Sequence, residues 1–447
     1  MLFWLNTFAA LSLSWLLLHF FLTSLWEREL RAAVSAGLGL CLNGLFWLWI
    51  LFGGGPLAHT VSILVLAAAG VFAILSLIPY FPDLQRPKGE ISPYDEREHM
   101  FSRMHLANHP ELAKRYYARH PEQKAQDEKL RAGTLTDSSG TFYDPCFSKL
   151  PEAAFAFLAD CHSFVAGEPA AHSQPNDAAA MTRHIQEVAR YYGAADTGVT
   201  RLLPHHLYSH YGRKAENWGQ PVETDHRYAI AMVTPMRIAM IKQSPTLPSL
   251  LESSRQYVEA GKAALVLAEY IRRLGYAARA HIDCNYQVVC VPVAADAGLG
   301  EVSRMGLLLH PVLGPCLRIA VVTTTMPLKE TKKEYPHIRH FCRICKKCAD
   351  NCPSQAVPGG DMPFSRGIRH WHVAQEKCYA FWRRLGTDCA FCIRVCPYTK
   401  PNTLVHRLVR FYISRNPINQ RIALFFDDLF YRRKLPLKRA NPSPLIR

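Results

Sequence analysis

The chain has 447 residues, with 52 Lys and Arg against 36 Asp and Glu, a formal net charge of +16 and 49% hydrophobic residues. That length allows two or three domains and a large core. Six cysteines (Cys41, Cys146, Cys161, Cys284, Cys290 and Cys316) show no paired framework, which excludes a disulfide scaffold and points to free thiols in a reducing compartment.

The charge is unevenly spread. Residues 1–82 hold only Arg28, Arg31, Glu27 and Glu29, so the whole +16 belongs to residues 83–447. A basic body behind a very apolar end points to an anionic membrane face or an anionic ligand, with nucleic acid a further option. Leu2 to Trp26 and Ala32 to Pro82 contain no Lys, Arg, Asp or Glu, and Gly53-Gly54-Gly55-Pro56 breaks the second stretch. A bilayer needs ~20 apolar residues per helix, so three spans are predicted near 2–25, 32–52 and 57–80. A signal peptide followed by a buried hairpin fits less well. The first span is too long for one and has neither a basic start nor a twin-arginine. Arg28 and Arg31 sit between the first two spans, and Arg86 and Lys88 come after the third. The positive-inside rule then puts the N-terminus outside and the large domain on the cytoplasmic side of a multi-pass anchor, residues 1–82.

Residues 83–150 are polar, and Pro93–Met104 reads as a linker that docks on the next domain. Residues 151–335 read as alternating helix and strand, an α/β pattern. A helix is predicted from Ser249 to Leu274, with Ser249 and Glu252 as capping box and Gly275 as stop. Strands are predicted at Gln287–Val293 and Leu317–Thr324. Between them lies DAGLGEVSRMG, where Gly298, Gly300 and Gly306 would let backbone approach a ligand closely, though a plain turn is the commoner meaning. The dinucleotide fingerprint G-x-G-x-x-G and the P-loop are both absent.

Eight of the fourteen cysteines fall between Cys342 and Cys396. Cys342, Cys345, Cys348 and Cys352 have the spacing C-x-x-C-x-x-C-x-x-x-C-P, and Cys378, Cys389, Cys392 and Cys396 end in a second C-P. A cubic iron–sulfur cluster needs four thiolates, and in this motif the cysteine before proline ligates the neighbouring cluster. That rule groups Cys342, Cys345 and Cys348 with Cys396, and Cys352 with Cys378, Cys389 and Cys392. Paired zinc sites are the alternative, which the C-P endings disfavour. Residues 401–447 hold ten basic residues against Asp427 and Asp428, interleaved with aromatics. This tail either lies on a membrane surface or packs on the catalytic domain with its charges solvated.

Taken together, residues from about 93 to 400 resemble the reductive dehalogenase family. The matching pieces are DEREHMFSRM (95–104), YYGAADTGV (191–199), YVEAGKAALVLAEYIRRLGY (257–276), VPVAADAGLGEVSRMGLLLHPVLGP (291–315) and the two cysteine motifs. The resemblance implies a nitroreductase-like corrinoid-binding domain (83–335), then a ferredoxin-like domain with two 4Fe–4S clusters (336–400). It implies replacement of halogen by hydrogen on an organohalide, at a corrinoid bound base-off. The missing D-x-H-x-x-G motif agrees with base-off binding. By motif position the family's proton-donating tyrosine falls on Tyr257 and its charge partner on Arg318. A substrate-side asparagine falls on Asn285, or on Asp283 if the gap lies elsewhere. Gly298, Gly300 and Gly306 fall in the cofactor-side glycine motif. Respiratory members carry a twin-arginine signal and a separate three-span anchor protein, whereas here three spans stand in front. The implied partners are an organohalide, membrane lipid and a low-potential electron donor, membrane-bound or soluble. Nucleic acid is not expected. Two rivals remain: an epoxyqueuosine reductase-like enzyme, against which the three spans argue, and a membrane-bound ferredoxin without catalysis, against which the ~250 intervening residues argue.

Overall fold

The computed structural model describes residues 2–82, 91–131, 138–175 and 177–438. Arg86, Lys88 and residues 439–447 of the tail lie outside the described residues. The chain divides into two compact units, Met1–Leu84 with Pro336–Cys345 and Lys400–Leu435, and Gln85–Tyr335 with Lys346–Thr399 and Pro436–Arg447.

The first unit is helical. Leu2–Trp26, Leu30–Phe52 and Pro56–Leu77 have mean hydropathies of 1.7, 1.7 and 2.5 and are long and apolar enough to cross a membrane. Their packing is inverted relative to a water-soluble bundle. Trp4, Leu11, Leu42 and Leu64 are exposed, while Asn6, Asn43 and Ser62 are buried. The buried groups satisfy one another. Ser62 Oγ donates to Asn6 Oδ1 (2.8 Å), Asn43 Nδ2 to Ser14 Oγ (2.9 Å) and Trp47 Nε1 to Asn43 Oδ1 (3.0 Å). Polar side chains bridging helices under an apolar exterior are what a lipid environment favours.

The C-terminal helices Leu404–Ile413 and Pro417–Tyr431 belong to this same unit. His406 Nε2 meets Glu27 Oε1 at 2.7 Å, with both side chains buried. Arg415 Nη2 donates to Leu77 O (2.9 Å) and Asn419 Nδ2 to Ser76 O (2.9 Å), so the tail caps carbonyls that the third membrane-type helix leaves unpaired. The described part of the tail therefore packs on the apolar helices, an arrangement neither sequence reading contained. Helix Pro336–Cys345, which carries Cys342 and Cys345, joins them through Gln420, whose Nε2 donates to His337 O (2.8 Å) and whose Oε1 meets His340 Nδ1 (2.6 Å).

The second unit mixes helix and strand around a four-stranded antiparallel sheet, ordered Asp196–Arg201, Tyr228–Pro235, Leu317–Thr324, Ala278–His281. Alternation along the strands gives the sheet two apolar faces. Ile230, Met232, Ala320 and Val322 pack with Ala264, Leu267 and Ile271 of the long helix Leu247–Arg273. Ala229, Ala231, Val233 and Val321 pack with Val293 and Ala294 of the short helix Cys290–Asp296.

That short helix replaces the strand expected at Gln287–Val293. A brief apolar run rich in valine is ambiguous by period alone, and here the covering of a sheet face selects helix. Leu317–Thr324 is a strand as expected. The long helix begins at Leu247, with Thr246 as its N-cap, and the capping box does not form. Ser249 Oγ instead donates to Thr246 O (2.8 Å) and Asp388 Oδ1 (3.0 Å), while Glu252 Oε1 accepts from Arg237 N–H (2.8 Å). Both residues are taken up by tertiary contacts. Gly275, at φ +84°, ends the helix as expected.

Candidate active site and cluster-ligating cysteines

Tyr257 projects from the long helix and Arg318 from the second residue of strand Leu317–Thr324, and the structure brings them together. The Arg318 guanidinium carbon lies 4.9 Å from the centroid of the Tyr257 ring, a cation–π geometry. Phe155 packs on the same ring at 5.8 Å. Arg318 Nη2 also donates to Ser253 Oγ, one turn before Tyr257 on the same helix. Burial pushes the Tyr257 phenol above its ordinary value, and the Arg318 charge opposes that shift. The phenol is thus kept protonated while a cation stands ready for the phenolate.

Asp388, buried, is the next link. Burial raises its carboxyl, with Arg318 and the Ser249 and Ser253 hydroxyls pulling back. The residue after it is Cys389. Tyr257, Arg318 and Asp388 thus lie in one electrostatic neighbourhood, and the backbone carries it on to a cluster-motif cysteine, although sequence reasoning named no role for Asp388. An acidic residue directly before a cysteine pair was the available signal.

The turn after strand Ala278–His281 holds Asp283 and Cys284, both of which add to the electrostatic surroundings of Tyr257. Cys284 adopts φ +57°, closing the turn so that Ile282 and Asn285 bridge. The Asn285 side chain faces the other way and accepts from Arg279 Nη2 at 2.7 Å. Asp283 adds its charge to the surroundings of Tyr257, and the neutral Asn285 lines a cavity with Arg279. At Gly298 (φ +83°) a Cβ would lie 2.6 Å from Thr331 O, and at Gly300 (φ +158°) 2.3 Å from Leu309 O. The close approach that demands glycine at both positions is to the protein's own chain. Gly306, at φ +73°, meets only the Val373 side chain. The adjacent Arg304 is fully buried, donates from Nη1 to Pro358 O (2.8 Å) and Gly360 O (2.7 Å), and stacks 4.4 Å over Trp371. It ties the glycine segment to the loop between the cysteine motifs.

Cys352, Cys378, Cys389 and Cys392 converge within the second unit. Burial, then the nearby sulfurs of Cys389, Cys378, Cys348 and Cys352, pushes the Cys392 thiol well up. Burial and Cys352 push Cys378 up to about 12, and Cys389 is raised by burial and by Cys378 and Cys352. Buried thiols crowded in this way hold thiolate charge only when a metal takes it up, so the donor set fits a cluster. Ala356 N–H donates to Cys352 Sγ (3.2 Å), the kind of bond that tunes a cluster's potential. Of the remaining four, Cys342 and Cys345 belong to the first unit, and Cys348 and Cys396 to the second.

Residues 341–400 match the 4Fe-4S dicluster domain family. A tetrachloroethene reductive dehalogenase of Desulfitobacterium hafniense is 35% identical over 205 residues, 42% of this chain and 36% of that one. The corresponding enzyme of Sulfurospirillum multivorans is 29% identical over 286 residues, 56% of this chain and 57% of that one. The aligned region thus spans about a third to just over half of these curated relatives. Among solved structures, the catabolic reductive dehalogenase NpRdhA superposes with a TM-score of 0.64 at 23% identity, covering 81% of this chain and 50% of that one. The same enzyme has been solved in complex with 3-bromo-4-hydroxybenzoic acid. An epoxyqueuosine reductase of Synechococcus matches more narrowly, 27% identical over 149 residues. In sequence and in fold the chain resembles the reductive dehalogenases, and within that resemblance it carries a 4Fe–4S dicluster domain.

Proposed function

We propose that the chain is a membrane-anchored reductive dehalogenase, an oxidoreductase that replaces halogen by hydrogen on an organic halide. The observation that carries this reading is the Tyr257–Arg318 pair, linked through Asp388 to Cys389 in the unit where four cluster-motif thiols converge. A related solved reductive dehalogenase structure is described as suggesting a mechanism for B12-dependent dehalogenation, and we infer a corrinoid here too. Arg318 Nε, Thr387 Oγ1 and Ser244 Oγ are buried with no hydrogen-bond partner among the described residues, which suits a polar ligand. Base-off binding accords with the absent D-x-H-x-x-G motif.

When bound, the corrinoid supplies the reductive cleavage of the carbon–halogen bond, and the two clusters deliver electrons singly. The chain's own residues handle the proton. Tyr257, raised by burial, stays protonated at neutral pH and donates to the developing carbanion. Arg318 stabilises the phenolate left behind, and Ser253 fixes the guanidinium in place. By the spacing rule Cys342, Cys345, Cys348 and Cys396 would hold one cluster, and Cys352, Cys378, Cys389 and Cys392 the other. The apolar helices anchor the protein, and Arg28 and Arg31 favour a cytoplasmic catalytic unit.

Elemental analysis of anaerobically purified, corrinoid-supplemented protein tests this. The expected content is about eight irons and one cobalt per chain. Iron without cobalt would leave only an electron carrier. Zinc at about two per chain, with no visible charge-transfer absorption, would overturn the cluster reading as well.

A further inference from the structure

We propose that the C-terminal helix Pro417–Tyr431 is seated in the bilayer surface, with Ile418, Ile422, Phe425, Phe426 and Leu429 in the acyl region and neighbouring arginines among anionic headgroups. This rests on the membrane-anchor part of the proposed function and adds a lipid-embedded element to the three spans. The observation behind it is an inverted helix. The five apolar residues fall at i, i+4, i+7, i+8 and i+11, which is one side of an amphipathic helix. In a water-soluble domain that side faces the core. Here Ile418 and Phe425 are each 66% exposed, whereas Asn419 and Gln420 are 1% and 0% exposed. Phe426 and Leu429 are exposed as well.

Hydrogen bonds fix the polar side inward. Asn419 Nδ2 donates to Ser76 O and Tyr412 O, both at 2.9 Å. Gln420 Nε2 donates to His337 O (2.8 Å) and Ile413 O (3.0 Å). Turning the helix to hide its apolar stripe would break these bonds and bury nothing in exchange on the polar side. A contiguous exposed apolar patch marks a contact with membrane or protein, and three features select membrane. First, the stripe runs into the apolar exterior of the long helices. Phe426 stacks on Phe430 (5.7 Å), and Phe430 packs on Phe20 (5.0 Å), six residues before the end of Leu2–Trp26. At ~1.5 Å per residue that contact lies ~9 Å inside the helix end, within the ~5–10 Å depth of an interfacial helix. Second, the preceding helix docks at a similar depth, with Tyr412 on Phe72 (6.5 Å), five residues before the end of Pro56–Leu77. Third, the stripe itself is uncharged, while the exposed Arg421 stands at its edge and the exposed Arg407 on the helix before it. An arginine so placed lays its stem on apolar surface and keeps its head at the phosphates.

The seat has a consequence for the redox side of the protein. Gln420, on the side away from the stripe, holds helix Pro336–Cys345 through His337 and His340. Phe81, just beyond the third long helix, packs on the same two histidine rings at 6.2 and 5.8 Å. A lipid-seated Pro417–Tyr431 therefore keeps the helix bearing Cys342 and Cys345 at the membrane surface.

The test is photo-crosslinking of the anaerobic full-length protein in phosphatidylglycerol nanodiscs, with a diazirine on the lipid acyl chain and adducts mapped by mass spectrometry. Adducts are expected on Ile418, Ile422, Phe425, Phe426 and Leu429 as well as on the three long helices, and not on Asn419 or Gln420. The triple variant Ile418→Gln, Phe425→Gln, Leu429→Gln alters only exposed side chains. It should lose adducts over 417–431 by ~10-fold or more, since each side chain gives up a large part of its preference for an apolar medium. Its adducts on the three spans and its iron content should stay unchanged. Adducts on the three spans with none on 417–431 would overturn the proposal and leave the anchor standing. Two copies per disc, crosslinked to each other through this stripe, would overturn it in favour of a second copy of the chain. Adducts nowhere would overturn the anchor reading too. No readout needs turnover, so the dehalogenase reading stands or falls separately.

Discussion

The strand Leu317–Thr324 meets an arginine near each end, and the protein treats the two differently. Near its start, Arg318 is surrounded by aromatic, hydroxyl and carboxyl groups. It stacks on Tyr257, donates to Ser253 and feels the buried carboxyl of Asp388. Near its far end, Arg279 reaches in from the neighbouring strand with one bond to a neutral asparagine and no carboxylate among the described residues. Both side chains are costly to bury, and only the first is compensated from within. The first cation is thus placed to steady a phenolate at Tyr257, whereas the second has only a neutral amide partner. In kinetic terms, Arg318 should act on the chemical step, and Arg279, on the opposite face of the sheet, should not.

The most severe change removes a cluster ligand. Cys392→Ala should abolish turnover and lower iron from about eight to about four per chain, measured by elemental analysis and cluster absorption. Iron near eight in that variant would show that Cys392 is no ligand. Tyr257→Phe should leave iron and cobalt content intact and slow turnover by ~100-fold or more, the usual worth of a general acid. A full rate would place the proton donor elsewhere. Arg318→Leu should cost on the order of 10-fold in kcat, since one pKa unit of acid tuning is worth a factor of ten. Combined with Tyr257→Phe the loss should be less than additive. Arg279→Leu, in contrast, should leave kcat nearly unchanged, because strand alternation puts it on the sheet face away from Tyr257. If both arginine variants lowered kcat alike, the comparison would be wrong. The pH profile gives the mildest effect. The Tyr257 phenol is raised by burial, so its acid form persists through neutrality, and the rate should decline only on the alkaline side, beyond the ordinary tyrosine value of ~10. A decline between pH 7 and 8 would point to a different acid.

Several of these features are legible in the chain because they are local. Cysteine spacing, charge-free stretches and the helix around Tyr257 are written within tens of residues, and each needs only a period or a motif to be read. The expected strand at Gln287–Val293 is absent because a short valine-rich run carries no decisive period, and the sheet face it covers lies elsewhere in sequence. The capping box at Ser249 fails for a similar reason. Asp388, 139 positions away, takes up the serine hydroxyl. The placement of the tail is not readable at all, since it depends on pairs such as His406 with Glu27, 379 positions apart. In the sequence Arg279 looks like one of many surface cations, because a missing partner is visible only once the fold shows who its neighbours are.

The first unit extends the lesson. Its buried polar bridges and exposed leucines reverse the second unit's arrangement, a pattern compatible with membrane anchoring. Detergent, and not high salt, should release the protein from membranes, because salt screens surface charge and leaves apolar spans in place.

The most direct measurement is halide release by anaerobic holoprotein of known iron and cobalt content, given a low-potential reductant and either 3-bromo-4-hydroxybenzoate or trichloroethene in deuterated water. The account predicts bromide and 4-hydroxybenzoate in equal amounts. It also predicts one deuterium at the carbon that lost bromine, delivered from the exchangeable Tyr257 hydroxyl. No halide from either compound, in protein carrying its full metal complement, would contradict it.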